Sequence, residues 1–173
     1  MIQYRRPRVD EAEALAALHV QCWREAYVDY VPSELMATFT AEKRLPHWRA
    51  AIPNTQKFVL GAFDSDIPVG FTISGLSSEK YIEDQDGNLE TIYVAASHYR
   101  QGIGRELISR AAQDWLQNGG KSMTVGVLAK NIRARSFYES LGAKLARLTT
   151  YNWDGHELPD AIYIFDNLPK LIP

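Results

Sequence analysis

The stretch from Leu89 to Gln113, LETIYVAASHYRQGIGRELISRAAQ, decides how the rest of this chain is read. It opens on Leu89 to Val94, an apolar run rich in β-branched and aromatic residues, which reads as a strand. A turn containing Gly102-Ile103-Gly104 follows. Leu107, Ile108, Ala111, Ala112, Trp115 and Leu116 then recur at helical spacing. A strand, a glycine turn and a helix aim backbone N–H groups and a positive helix end at an anion. The glycines let the backbone approach a phosphate where a Cβ would collide. A Rossmann fingerprint is absent, because Leu107 stands where a third glycine is needed. A P-loop is absent too, since no Gly-Lys-Ser/Thr triplet occurs. Alone, the turn reads equally as a tight structural connection.

A second motif lies downstream. Asn131 to Gly142, NIRARSFYESLG, reads as a capped helix stopped by glycine. Together, QGIGREL and N-x-x-A-x-x-FYE-x-LG resemble the acetyl-CoA-binding motifs of the GNAT (GCN5-related) N-acetyltransferase superfamily. The resemblance covers nearly the whole chain and is densest between Leu89 and Gly142. It implies an acetyl-CoA co-substrate and direct attack of an amine on the thioester.

Composition sets independent bounds. A chain of 173 residues suits one domain, residues 1–173, burying roughly 70% of the surface its unfolded form exposes. A net charge of −2 lacks the basic excess of a nucleic-acid binder. No apolar run approaches the ~20 residues that span a bilayer, and the N-terminus is too polar for a signal peptide. Cys22, the one cysteine, leaves no internal disulfide or cysteine-rich metal site, and the four histidines lack metal-ligand spacing. The expectation is a cytoplasmic protein without a metal, free of nucleic acid and membrane, with a homodimer left open.

Taken in order, Ile2 to Arg6 reads as a strand, and Asp10 with Glu13 as the capping box of a first helix. That helix carries Leu15, Leu18, Cys22 and Ala26 along one stripe, so Cys22 reads as a small buried hydrophobe. Pro32 breaks it, Ser33 can cap a short helix, and Thr40 can start a third through Trp48, with Pro46 inside. Lys57 to Phe63 and Ile67 to Ser74 make a hairpin through Asp64-Ser65-Asp66. An acidic, solvated stretch holding Glu79, Glu83, Asp84 and Asp86 precedes the central strand. Gly119-Gly120 ends the central helix, and Met123 to Leu128 is a strand. The helix after Asn131 is expected to bury Ala134, Phe137 and Leu141. Two last strands flank Asp154-Gly155. The order β-α-α-β-β-β-α-β-α-β-β predicts an α/β fold. With the resemblance it becomes a mixed, mostly antiparallel central sheet with helices on both faces.

The resemblance assigns roles residue by residue. Gln101, Gly102, Ile103, Gly104 and Arg105 match the turn that cradles the CoA diphosphate. Tyr99 departs from the family pattern three residues before the first glycine, with Arg100 beside it, which touches a side-chain contact and not the backbone cradle. Ile92, Tyr93 and Val94 match the strand that bonds the pantetheine arm. Asn131 adds contact with that arm to its capping role. Tyr138 matches the tyrosine facing the departing sulfur, and otherwise reads as an amphipathic-helix aromatic. A tyrosine at ~10 is a weaker acid than a thiol near ~8.5, so full proton transfer is uphill by roughly 2 kcal/mol. Hydrogen bonding to the developing thiolate avoids that cost.

Glu90 is the base candidate, standing two positions after the place where many relatives have their glutamate, here Asn88. It reads equally as an exposed strand carboxylate, and His98 is a weaker base candidate. Trp23, Tyr27 and Tyr30, with Trp48, could hold a cationic amine by cation–π contact, or belong to the core, Trp23 most readily. The acceptor expected is a small cationic primary amine. A non-catalytic acyl-CoA sensor and a generic nucleotide-binding domain are the rival readings.

Overall fold

In the computed structural model, which describes residues 1–76 and 86–173, the chain divides into two compact units. One holds residues 1–73 and 91–107, the other 74–90 and 108–173. Glu79, Glu83 and Asp84 of the acidic stretch lie outside the described residues. The strands form a mixed seven-stranded sheet in the order β1 (Gln3–Arg5), β2 (Phe58–Asp64), β3 (Ile67–Leu76), β4 (Asp86–Val94), β5 (Ser122–Leu128), β7 (His156–Phe165), β6 (Lys144–Trp153).

In the first unit, β1 (Gln3–Arg5) pairs antiparallel with β2 (Phe58–Asp64), and β3 (Ile67–Leu76) returns beside it. The hairpin turn puts Ser65 at φ 49° and Asp66 at φ 67°, the left-handed pair that a two-residue hairpin needs. Helices α1 (Ala12–Tyr27), α2 (Ser33–Thr38) and α3 (Ala41–Ala51) follow the expected breaks. Thr40 caps α3 through its bond from Lys43 N–H at 3.4 Å, and Pro46 sits inside that helix.

Two caps differ from expectation. The box preceding α1 is closed by Glu11, whose carboxylate accepts from Arg8 N–H at 2.7 Å, so Asp10 and Glu13 do not form it. Glu11 is already oriented by Arg5, at 2.6 and 2.8 Å, and that ion pair sets the register. Ser33 is the first residue of α2, with Pro32 at the cap. The unit's core packs Leu15, Cys22, Trp48, Val59, Phe71 and Ile73 into one cluster.

In the second unit, the start of β4 (Asp86–Val94) runs parallel to β5 (Ser122–Leu128). The register extends from Asp86↔Ser122 to Leu89↔Val125. Between them runs α4 (Ile103–Gln117), whose end is marked by Gly119 at φ 85°. β6 (Lys144–Trp153) and β7 (His156–Phe165) form a long antiparallel hairpin with a bulge between Leu145 and Arg147. β7 lies between β6 and β5, and its Ala161 to Phe165 are buried. In α5 (Ile132–Ser140) Leu141 is buried as expected, Ala134 and Phe137 are only half-buried, and Tyr138 is buried on the same face.

Candidate active site

The glycine turn belongs to the first unit. β4 leads through Ala95 into a 3-10 turn, Ala96–His98, tied down by Glu25, which accepts from Ala96 N–H at 2.9 Å. The chain then passes Arg100 at φ 62° and Gly102 at φ 82° before α4 begins at Ile103. Ile103 and Leu107 are fully buried in a cluster with Leu60, Ala62 and Val69 and anchor the start of the helix. Gln101, Gly102 and Arg105 are exposed around that anchor, and Gly104 is half-exposed. Glu106 N–H bonds Gly102 C=O at 3.1 Å as the first turn closes. The amides ahead of it point out of the helix end with no intrahelical acceptor to meet. Exposed first-turn amides at a positive helix end suit an anion such as a diphosphate.

The strand ahead of the turn is half-buried at Ile92, Tyr93 and Val94. Thr72 Oγ1 donates to Thr91 C=O at 2.9 Å, and Ala95 N–H donates to Val69 C=O at 2.8 Å, fixing this segment against β3. β3 comes very close there: a Cβ at Gly70 would stand 3.1 Å from Tyr93 O. The aromatic candidates differ in exposure. Trp23 is buried and stacked on Phe39 at 4.5 Å, and Trp48 is fully buried. Tyr27 is buried, with its hydroxyl 3.4 Å from that of Tyr93, and Tyr30 is half-buried. His98 lies 3.8 Å from Asp64.

Two buried groups of this unit matter for what they do not do. Burial pushes the Cys22 thiol up to about 12, so it is no nucleophile at neutral pH. His19 is enclosed by Phe39, Trp48, Phe71 and Tyr93, and burial, with Arg44 and His47 nearby, pushes it down to about 3. It stays neutral at any working pH.

The second unit holds the other candidates. Asn131 is buried and caps α5, its Oδ1 accepting from Ala134 N–H at 3.1 Å. Arg135 donates from Nη1 to Ala129 C=O and from Nε to the Tyr163 hydroxyl, both at 3.0 Å. The Tyr163 hydroxyl donates in turn to Glu139 at 2.5 Å. These bonds fix α5 against β7 on both sides of Tyr138. The Tyr138 ring lies among Phe137, Tyr163 and Phe165, at 5.6 to 6.4 Å. Asn88 and Glu90 are both half-buried, and Thr124 Oγ1 donates to Gly87 C=O at 3.1 Å, with Asn88 Oδ1 3.4 Å away.

Sequence reading passes over one carboxylate in this unit. Asp160 on β7 is half-buried, and burial pushes its carboxyl up to about 6. In the sequence it stands between Pro159 and a buried strand, and no motif marks it. Of the predicted site residues, the turn, Ile92 to Val94 and Trp23, Tyr27 and Tyr30 share the first unit. Glu90, Asn131 and Tyr138 share the second.

Among known proteins, the family model described as the acetyltransferase (GNAT) family matches residues 13–143. An uncharacterized N-acetyltransferase of Bacillus subtilis, YuaI, is 31% identical over 76% of this chain and 74% of its own. Thialysine N-epsilon-acetyltransferase of Bos taurus is 39% identical over 56 residues, 32% of this chain and 33% of its own. The PaiA N-acetyltransferase of Thermoplasma acidophilum, solved in complex with coenzyme A, aligns with TM-score 0.72 at 20% identity. That alignment covers 93% of this chain and 98% of the other. An N-acetyltransferase structure from Staphylococcus aureus Mu50 aligns with TM-score 0.73 at 17% identity, over 96% of this chain and 98% of the other. These structural likenesses speak for the fold.

Proposed function

The chain belongs to the acetyltransferase (GNAT) family, as an acetyl-CoA-dependent N-acetyltransferase, and from that premise we propose that its acceptor is a small cationic primary amine attacked directly. The observation that carries direct attack is the state of Cys22, fully buried with its thiol pushed up to about 12. This chain has one cysteine, and it is unfit to carry an acyl group.

Bound acetyl-CoA supplies an activated thioester. The residues of this chain do the rest. The Gln101 to Arg105 turn holds the diphosphate with first-turn amides, and the backbone of Ile92 to Val94 aligns the arm. Asn131 adds a contact while capping α5. Tyr138, on a helix fixed by the Arg135–Tyr163–Glu139 bonds, donates a hydrogen bond to the departing sulfur.

An amine at ~10.4 is about one part in ~10³ neutral at pH 7, a cost of roughly 4 kcal/mol. Glu90, directly or through water, takes the proton and relieves part of it. Tyr27 and Tyr30, with Trp23 behind them, present ring faces to the acceptor's charge. Supporting the reading are the family membership and the half-buried Tyr30 beside the buried Tyr27 in the first unit.

The test is a panel of cationic, neutral and anionic amines assayed by release of CoA thiol at ~50 and ~500 mM salt. A cationic best acceptor whose KM rises severalfold with salt is expected, because exposed charges are screened at the higher concentration. A neutral or anionic best acceptor with a salt-independent KM overturns it.

A further inference from the structure

We propose that the Asp160 carboxylate and the bare backbone of Gly126 form a seat for a second cationic group of the acceptor, one that is not acetylated. The inference deepens the proposed function and rests on it for the word acceptor.

The seat follows from strand register. On β7, Asp160 pairs with Leu128 of β5, and Ile162 pairs with Gly126. Residues two apart share a face, so the missing side chain of Gly126 leaves a gap between Asp160 and Ile162. A Cβ built at Gly126 would stand 3.4 Å from Asp160 Oδ2 and 3.4 Å from Ile162 Cδ1. Gly126 is exposed, so the gap opens to solvent. One wall is therefore a carboxylate oxygen and the other an aliphatic methyl.

Among the described residues the carboxylate has no cation of its own. Its partner is Ala161 N–H, and among the described residues no lysine, arginine or histidine forms an ion pair with it. β5 faces it with Gly126 and Leu128, which carry no charge. β6 faces it with Thr149, flanked by Arg147 and Tyr151. A half-buried carboxylate can only accept hydrogen bonds, and it has lost water without gaining a counter-charge. An alkylammonium supplies both missing parts: donors for Oδ2 and methylenes for Ile162.

The seat also lies in the unit that holds Tyr138. Ala129 N–H donates to Pro159 C=O at 2.8 Å, joining the Asp160 end of β7 to the segment that becomes α5.

Two probes of one length decide it: 1,5-diaminopentane carries a second ammonium and n-pentylamine does not. The wild type should favour the diamine at least tenfold in kcat/KM, through KM. Asp160→Asn should bring that ratio close to one. Gly126→Ala, which puts a methyl in the gap at ordinary contact distance, should reduce it as well. Calorimetry with 1,5-diaminopentane alone should show binding that Asp160→Asn abolishes and that fades in the wild type below pH 6. Circular dichroism checks that each variant folds.

A diamine preference absent from the wild type, or unchanged in both variants, overturns the seat and leaves acetyl transfer to simple amines intact. Diamine binding that depends on Asp160, in an enzyme that acetylates neither probe, keeps the seat and overturns the acceptor reading. Absence of both binding and turnover overturns both.

Discussion

At the residue scale, Tyr138 carries the prediction nearest the proposed chemistry. Motif resemblance singles it out, and the fold buries it to 6% exposure, with ring neighbours that restrict its rotation. Tyr138→Phe keeps ring and packing and removes the hydroxyl alone. Turnover should fall by roughly 10–10³ while acetyl-CoA affinity, read by calorimetry, hardly moves. Normal turnover with reduced stability would make Tyr138 a packing residue instead. Cys22→Ala should leave turnover within a few-fold; a fall of ~10³ would point to an acyl-enzyme. Asn131 was legible because capping is local grammar: a side-chain oxygen three residues ahead of a free amide. Asp160 and His19 were not. Their character comes from what the fold packs around them, and no window of neighbouring sequence contains that.

Elements were legible wherever a turn residue or a period announced them, as in the Asp154-Gly155 and Ser65-Asp66 hairpins. The misread cap has a cause outside the local window. Asp10 and Glu13 satisfy the local pattern for a cap, but Arg5 orients Glu11, six residues away, and shifts the register. That side-chain bond holds Glu11 down at about 2, against the usual carboxylate range. The folded state therefore gains stability above the ordinary carboxylate pKa and loses it as pH falls toward 2. Glu11→Gln should cost roughly 1–3 kcal/mol at neutral pH and nothing below about pH 2, measured by urea unfolding. In α5 Leu141 is buried as read, but Ala134 and Phe137 are only half-buried: a half-buried side chain and a buried one look alike in a helical pattern. For α4, the element that matters is its first turn. Gly104→Val should weaken CoA binding at least tenfold, ~1.4 kcal/mol, with circular dichroism unchanged. An unchanged dissociation constant would count against the cradle.

At the scale of the molecule, the mixed sheet and the family were within reach of the sequence, whereas the strand order and the division into two units were not. His19 and Asp160 fall one in each unit. His19 binds its proton near 3 when folded and near 6.5 when unfolded, so acid disfavours its unit between those values. Asp160 does the reverse: at about 6 folded and 3.8 unfolded, acid favours its unit across that window. Each slope is about 1.4 kcal/mol per pH unit. If the units unfold as one, the slopes cancel between about pH 4 and 6, and Asp160→Asn uncovers a steep acid loss. If they unfold separately, the wild type shows two transitions moving in opposite directions with pH.

The path of the chain carries a consequence for its birth on the ribosome. The backbone passes between the units three times, so neither is a contiguous segment. All residues of the first unit have been synthesised by Leu107, while the second waits for β7, the strand its sheet is paired around. A nascent chain arrested soon after Leu107 clears the exit tunnel should already shield 1–73 from protease. A chain beginning at residue 108 lacks the β4 segment that β5 pairs with and should gain no such protection.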